Sequence, residues 1–87
     1  TWPEWLPIIN QSAQGVVSWE QGLTQLPDGR LVCIVWCFDE RAGKSLPNRY
    51  AVSHDGKTFS APRENGMQGE TAKIMTLADG RVMCLYR

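Results

Sequence analysis

The sequence predicts an all-β protein built from antiparallel hairpins. Three observations predict it: an Asp-Gly turn between two strand-like runs, a hairpin pattern that occurs twice, and long runs that are apolar on both faces. No stretch combines helical periodicity with capping residues, and the five prolines and eight glycines punctuate the strand-like runs. With 43% hydrophobic residues and four tryptophans, the chain has the composition of a globular protein.

The Asp-Gly turn lies in a heptapeptide that reads Ser53-His54-Asp55-Gly56-Lys57-Thr58-Phe59. The heptapeptide joins strand-like runs at 49–53 and 58–62. Asp-Gly favours a tight hairpin turn because glycine adopts the left-handed backbone conformation at little steric cost. We expect its oxygen-bearing side chains to hold the turn through local hydrogen bonds, with the ring of Phe59 beneath it. Those side chains belong to Ser53, Asp55 and Thr58.

The hairpin pattern is an internal repeat. Residues 23–35 recur as residues 74–86, and Asp28 matches Asp79 at an offset of 51 residues (79 − 28) without a gap. Each copy is an apolar run, an Asp-Gly turn and a longer apolar run, which is the pattern of a β-hairpin. The two copies therefore predict the first two strands of consecutive structural units.

The heptapeptide and the repeat together resemble the Asp-box turn and the blades of sialidase-type β-propellers. The turn is one residue shorter than the usual family pattern and has Phe59 where the family usually has Trp. The resemblance implies antiparallel four-stranded blades, lettered A to D from the inside outwards. It also implies that the ring is incomplete in this chain.

The resemblance assigns every predicted strand to a blade. Thr1-Trp2-Pro3 is similar to the end of an earlier Asp-box, so residues 1–9 are expected to be strand D of one blade. A complete blade follows at about 22–63, and the next blade begins at about 72–87. In the complete blade, strands A, B, C and D are expected at 22–27, 30–38, 48–53 and 58–63. In the next blade, strands A and B are expected at 72–77 and 81–87.

The B strands are apolar on both faces, which indicates sheets covered on both sides by neighbouring blades. Since one complete blade cannot close a ring, an apolar edge is left without a partner inside the chain. We therefore expect either a homo-oligomer or the remainder of a longer propeller chain. The cysteines in these strands are interpreted as small buried hydrophobic residues, and no metal or cofactor is expected. They are Cys33, Cys37 and Cys84.

The charge balance excludes two classes of partner. Nine basic and nine acidic residues cancel, so there is no basic patch for nucleic acid or for an acidic membrane surface. No apolar run approaches the roughly 20 residues that a membrane span needs. Neither nucleic acid nor a membrane is therefore expected as a partner, and the resemblance to sialidases implies a glycan substrate or ligand.

The resemblance also implies where a site would lie. In such a propeller, Asp28, Asp55 and Asp79 form turns on the face opposite the ligand site. The ligand face receives Glu20, which opens a strand as in the family pattern, and Arg87, which ends one. Three arginines are candidates for binding the substrate carboxylate, because guanidinium groups bind carboxylates bidentately. They are Arg87, Arg41 and Arg49.

The catalytic candidates follow from the same resemblance. Sialidases use a tyrosine nucleophile poised by a carboxylate, a role that Glu20 or Glu70 would take, and Asp39 or Glu40 would supply an acid. The family's Phe/Tyr-Arg-Ile-Pro segment is absent from this sequence. An exposed loop with a local ion pair explains Asp39 and its neighbours equally well.

The functional expectation is a sialidase-like glycoside hydrolase, or a fragment of one, that cleaves terminal sialic acid from glycans. The alternative is a non-catalytic propeller module that binds carbohydrate or assembles with copies of itself. A third hypothesis is a small oligomeric all-β protein with another purpose.

Overall fold

A computed structural model describes residues 7–87 of the chain. After a short 3-10 helix at Ser12–Gln14, the described residues form six strands, and the predicted all-β fold is confirmed. The strands are β1 (Val16–Gln25), β2 (Leu31–Asp39), β3 (Lys44–Ser53), β4 (Arg63–Glu64), β5 (Lys73–Thr76) and β6 (Val82–Leu85).

The strands form two antiparallel sheets. The first sheet has the order β1-β2-β3-β4, so each strand pairs with its neighbours in the sequence. The second sheet is the β5-β6 pair, and β5 packs against β1. We call β1–β2 the first hairpin and β5–β6 the second hairpin. Both Asp-Gly-Arg segments form the turns of hairpins, as the repeat predicts.

Several strand bounds differ from the prediction. The strand expected from residue 22 begins at Val16, because it continues through a β-bulge between Trp19 and Gly22. The strand expected from residue 48 begins at Lys44. Pro47 is accommodated there because it lies in a register shift, where no ladder hydrogen bond requires its missing NH.

The outermost predicted strands are shorter than expected. The strand expected at 58–63 is reduced to Arg63–Glu64 and an isolated bridge between Ser53 and Phe59. Of the strand expected at 1–9, residues 1–6 lie outside the described part, and residues 7–9 contain no strand. The side chains of Ile8 and Ile9 instead pack against the core of the first sheet.

The first sheet is covered on both faces. On one face, Cys33, Val35 and Cys37 are buried and contact Ile8, Ile9 and Phe59. On the other face, Ile34 is buried and lies against the second hairpin. This two-sided burial is what the apolar β2 sequence predicts.

The cysteines are free thiols. Cys33 and Cys37 are buried as expected, and burial raises the pKa of the Cys33 thiol. Cys84 is only half-buried, because its strand β6 has no neighbour on one side among the described strands. Residues 7–87 contain no group of His, Cys, Asp and Glu side chains able to hold a metal ion. Nor does this part of the chain contain a helix of the length and hydrophobicity that a membrane span requires.

The two hairpin turns are near copies of each other. In the first, Asp28 accepts a 2.8 Å hydrogen bond from the Arg30 guanidinium, and in the second Asp79 accepts one of 2.7 Å from Arg81. The backbone NH of each arginine also donates to its aspartate at 3.1 Å. The aspartates are therefore turn-forming residues, and the repeat in sequence is a repeat in local structure.

Candidate functional site

The two hairpins meet at a pair of matching bulges. Glu20 has a φ of 49° and Thr71, 51 residues later (71 − 20), has a φ of 55°. Residues other than glycine rarely adopt this left-handed conformation. The Thr71 hydroxyl donates to the Glu20 carboxylate at 2.8 Å, so a side-chain hydrogen bond joins the two bulges.

Next to the second bulge lies an ion pair. Glu70 and Arg87 exchange two backbone hydrogen bonds of 3.0 and 2.9 Å, and the Arg87 guanidinium donates to the Glu70 carboxylate at 2.8 Å. This hydrogen bond to Glu70, with a smaller effect from the charge of Glu20, raises the pKa of Arg87. The guanidinium is therefore permanently charged, and 78% of the side chain is exposed.

The first hairpin has aromatic residues at the corresponding positions. Trp19 pairs with Trp36 across the strands, and their rings meet edge to face with centroids 4.9 Å apart. Phe38 stacks on Trp19 at 5.5 Å. The repeat thus places an aromatic pair in one hairpin where the other has an ion pair.

A cleft of about 360 Å³ lies between these two pairs. We call it the interhairpin cleft. The Trp36 indole NH donates to the Ser45 hydroxyl at 3.3 Å, and the Gln68 amide donates to the Ser45 carbonyl oxygen at 3.0 Å. These bonds hold an aromatic ring and polar groups in the lining of one opening. Its lining residues are Trp36, Ser45, Gln68, Gly69, Glu70 and Arg87.

The structure brings three of the predicted site residues together. Glu70 contacts Arg87 directly, and the charge of Glu20 also acts on Arg87. Glu20 lies inside β1, at the bulge, and not in front of the strand as expected. The bulge explains the difference, because it turns a polar residue outward without ending the strand.

Asp39 and Arg41 lie in the turn after β2. The Asp39 carboxylate accepts hydrogen bonds from the backbone NH groups of Arg41 at 2.9 Å and of Ala42 at 3.1 Å. Asp39 is thus a turn-forming residue in this structure. The Arg41 side chain lies over Gly15, where a β-carbon would come within 2.7 Å of its Nε. Neither residue contacts the ion pair in the described hydrogen-bond network.

The Arg49 guanidinium makes its contacts outside the interhairpin cleft. It donates to the side chain of buried Gln11, which belongs to the segment that covers the core face, and lies 3.5 Å from the Glu64 carboxylate. Among residues 7–87, no contact joins Arg49 or Arg41 to Arg87. The described structure therefore does not bring the three arginines into one group.

Ser53 and Asp55 hold the heptapeptide turn through side-chain hydrogen bonds as the sequence predicts, whereas the Thr58 hydroxyl makes no hydrogen bond among residues 7–87. One oxygen of the Asp55 carboxylate accepts from the backbone NH groups of Lys57 and Thr58, both at 2.8 Å, and from the Ser53 hydroxyl at 3.2 Å. The backbone bonds, first that from Thr58, lower the pKa of Asp55 to about 2. Thr58 thus contributes its backbone NH. The turn also requires Gly56, whose φ is 76°.

The turn and the cleft lie at opposite ends of the first sheet. The Asp28 and Asp55 turns follow β1 and β3, which run in the same direction. The cleft is lined by Trp36 near the end of β2, Ser45 near the start of β3, residues 68–70 before β5, and Arg87 after β6. Sequence reasoning did not single out Ser45 and Gln68, since neither belongs to a motif. The offset of 51 matches Trp36 with Arg87, and both of these residues line the cleft.

No family model matches the chain, and neither the curated proteins nor the solved structures include a significant match.

Proposed function

We propose that the chain is a section of a sialidase-like β-propeller, with the first sheet as one blade and the second hairpin as the start of the next. The four-stranded antiparallel order supports this proposal, as does the packing of β5 beside β1. The matched register of the two hairpins also supports it, because repeated units of one architecture share turns and bulges.

We further propose that the interhairpin cleft binds a terminal acidic sugar such as sialic acid. The observation that carries this proposal is that the Glu70–Arg87 pair and Trp36 line the same cleft. Glu70 holds only one guanidinium nitrogen, so the remaining NH groups of Arg87 are available to a carboxylate. Trp36 offers an apolar surface for a sugar ring, and Gln68 offers an amide for hydroxyl groups.

Hydrolysis is a second candidate function at the same site. It is favoured by the two carboxylates near Arg87, since Glu20 or Glu70 would poise a tyrosine nucleophile. Tyr86 is the neighbouring tyrosine, but its ring lies against Gly69, where a β-carbon would come within 2.3 Å of it. Among the described residues no tyrosine–carboxylate pair is formed, so we propose binding first and hydrolysis second.

The test is a titration of the chain with 3′-sialyllactose and with lactose, followed by NMR or calorimetry. We expect saturable binding of the sialylated sugar only, and a loss of roughly tenfold or more for Arg87→Gln, since a charge-assisted hydrogen bond is removed. Arg81→Gln is the matched control, because Arg81 is an exposed arginine of the same hairpin that does not line the cleft. Equal binding of lactose, or equal loss in both variants, would contradict the proposal.

A fluorogenic sialoside separates the two candidate functions. Release of the fluorophore by the chain, abolished in Glu70→Gln, would establish hydrolysis. Binding of 3′-sialyllactose without release would establish the carbohydrate-binding module.

We also propose that β6 is covered in solution, either by copies of the chain or by further blades of a longer chain. Leu85 is 63% exposed and Tyr86 is 55% exposed in the described structure. Apolar strand edges of this kind favour pairing with other strands. A sedimentation measurement that found only a monomer of the chain would contradict the oligomeric form of this proposal.

A further inference from the structure

A second concave surface lies at the opposite end of the first sheet from the interhairpin cleft. It is a groove of about 710 Å³ between the start of β2, the end of β3 and the β3–β4 connection. We call it the turn-side groove. Its lining combines cationic, aromatic and hydroxyl-bearing side chains, chiefly Arg30, Tyr50, His54, Phe59, Ser60 and Arg63.

The two arginines of the groove have unused donors. The Nε of Arg30 donates a hydrogen bond to the Asp28 carboxylate at 2.8 Å. The two terminal nitrogens of its guanidinium make no hydrogen bond or ion pair among residues 7–87. Arg63 has no carboxylate within 4.0 Å in this part of the chain. Since a guanidinium carries five NH donors, both side chains can bind an anionic ligand by donating hydrogen bonds to it.

The carboxylate of Asp55 also lines the groove, but its turn already uses it. One of its oxygens accepts hydrogen bonds from two backbone NH groups and from a hydroxyl, so the carboxylate charge is stabilised within the heptapeptide. His54, next to it, adds a ring nitrogen donor. Among residues 7–87, Asp55 makes no ion pair with Arg30 or Arg63, so the free NH groups of both arginines remain available to a ligand.

The internal repeat shows that this arrangement is particular to the first hairpin. Arg30 and Arg81 occupy the same position in the same turn and make the same ion pair with the preceding aspartate. The Arg30 side chain is 41% exposed and lines the groove, whereas the Arg81 side chain is 76% exposed and lines no groove of this kind. The turn alone therefore does not create the groove; the neighbouring β3–β4 segment does.

We propose that the turn-side groove binds a phosphate or sulfate group, either as the free ion or as the ester of a small sugar. Arginine forks match the tetrahedral oxyanion bidentately, and the charge of each guanidinium group strengthens its hydrogen bonds to such an anion. The Ser60 hydroxyl and the Tyr50 phenol add neutral donors, and the Tyr50 ring offers a surface for an attached sugar. This site is independent of the proposed cleft function, because the two openings share no residue.

The experiment is an NMR titration of the isotope-labelled chain with four probes at one ionic strength. The probes are inorganic phosphate, glucose 6-phosphate, N-acetylglucosamine 6-sulfate and unsubstituted glucose. We expect saturable shifts in the 53–60 segment for the charged probes and none for glucose. If the sugar esters bind more tightly than inorganic phosphate, the ligand is an ester; if they bind equally, it is the free oxyanion.

Three variants test the assignment. We expect Arg63→Gln and Arg30→Gln each to weaken binding by roughly tenfold or more, and Arg81→Gln to leave it unchanged. Each variant's own spectrum reports whether it folds, and Arg63, in exposed β4, provides the test if Arg30→Gln disturbs the hairpin. The absence of saturable shifts for every charged probe, or an equal loss in Arg81→Gln, would overturn the proposal.

Discussion

The two hairpins differ in their surroundings although their local structures match. Both have an Asp-Gly-Arg turn, the same pairing register and a residue with positive φ at the bulge. Yet Ile34 in the first hairpin is 4% exposed, whereas its counterpart Leu85 in the second is 63% exposed. The comparison teaches that turn and pairing chemistry specify a hairpin, whereas neighbouring elements decide how much that hairpin contributes to stability.

The same comparison separates scaffold from function. Trp19 and Trp36 occupy the backbone positions that Glu70 and Arg87 occupy in the second hairpin. The backbone pairing is retained, but one pair packs as aromatic rings and the other forms an exposed ion pair. The repeated backbone pairing thus carries two different chemistries, and Trp36, Glu70 and Arg87 line one cleft.

The largest predicted difference concerns the matched core positions. We expect Ile34→Ala to lower the free energy of unfolding by about 2–5 kcal/mol, because it removes buried methyl groups and leaves a cavity. Leu85→Ala is the control, measured at a protein concentration low enough for the chain to be monomeric, where the site is exposed and the expected change is within about 0.5 kcal/mol. Urea unfolding monitored by tryptophan fluorescence measures both.

At higher protein concentration, a larger cost for Leu85→Ala is expected if copies of the chain cover β6 as proposed. The unfolding midpoint would then depend on protein concentration. Sedimentation of the unmodified chain under the same conditions would identify that assembly.

A smaller effect is expected where the hairpins touch. A β-carbon on Gly22 would lie 3.2 Å from the Ala72 carbonyl oxygen and 3.4 Å from the Ile74 nitrogen, so Gly22→Ala must push the second hairpin away. We expect a loss of about 1–3 kcal/mol in unfolding free energy. Lys73→Ala, at the matching position of the second hairpin, should cost less than Gly22→Ala. Equal unfolding curves for Gly22→Ala and the unmodified chain would show that the two hairpins do not pack closely there.

The smallest expected effect concerns the third Asp-Gly turn, at Asp55. We expect Asp55→Ala to lower the Tm by roughly 4–8 °C at neutral pH, because three hydrogen bonds to the carboxylate are lost. The Tm is measured by circular dichroism. A Tm that does not change would mean that these bonds do not hold the turn in solution.

Acid sharpens this prediction. Because the pKa of Asp55 in the folded protein is about 2, below the roughly 3.9 of an unfolded chain, its charge stabilises the fold above about pH 4. That stabilisation is lost as the pH falls from about 4 towards about 2. The Tm difference between the unmodified chain and Asp55→Ala should therefore shrink between these two pH values. Asp55→Asn keeps an oxygen acceptor without the charge, and its Tm should lack this part of the pH dependence.

Local signals predicted the hairpins well. The Asp-Gly turns, the 51-residue repeat and the apolar β2 sequence all concern contacts between residues close in the chain, and the structure contains each of them. Prediction was poorer where polar or proline residues continue a strand, as at Glu20 and Pro47, because bulges relieve their conflict with the ladder.

The residues of the candidate site also differ in how well the sequence predicted them. Glu20, Glu70 and Arg87 were chosen through the family resemblance, and the structure brings them near one another where the two hairpins meet. Ser45, near the start of β3, and Gln68, before β5, belong to no motif, so neither was singled out. Arg41 and Arg49 were chosen through the same resemblance, but tertiary packing places their side chains against Gly15 and Gln11.

By itself, the sequence determined the strand order, the turns and the repeat, because alternating apolar residues and Asp-Gly pairs act over a few neighbouring positions. Only the tertiary structure decided which charged side chains share a cleft and which are held by their own turns. That outcome depends on how the second hairpin packs against the first, which involves residues about 50 positions apart.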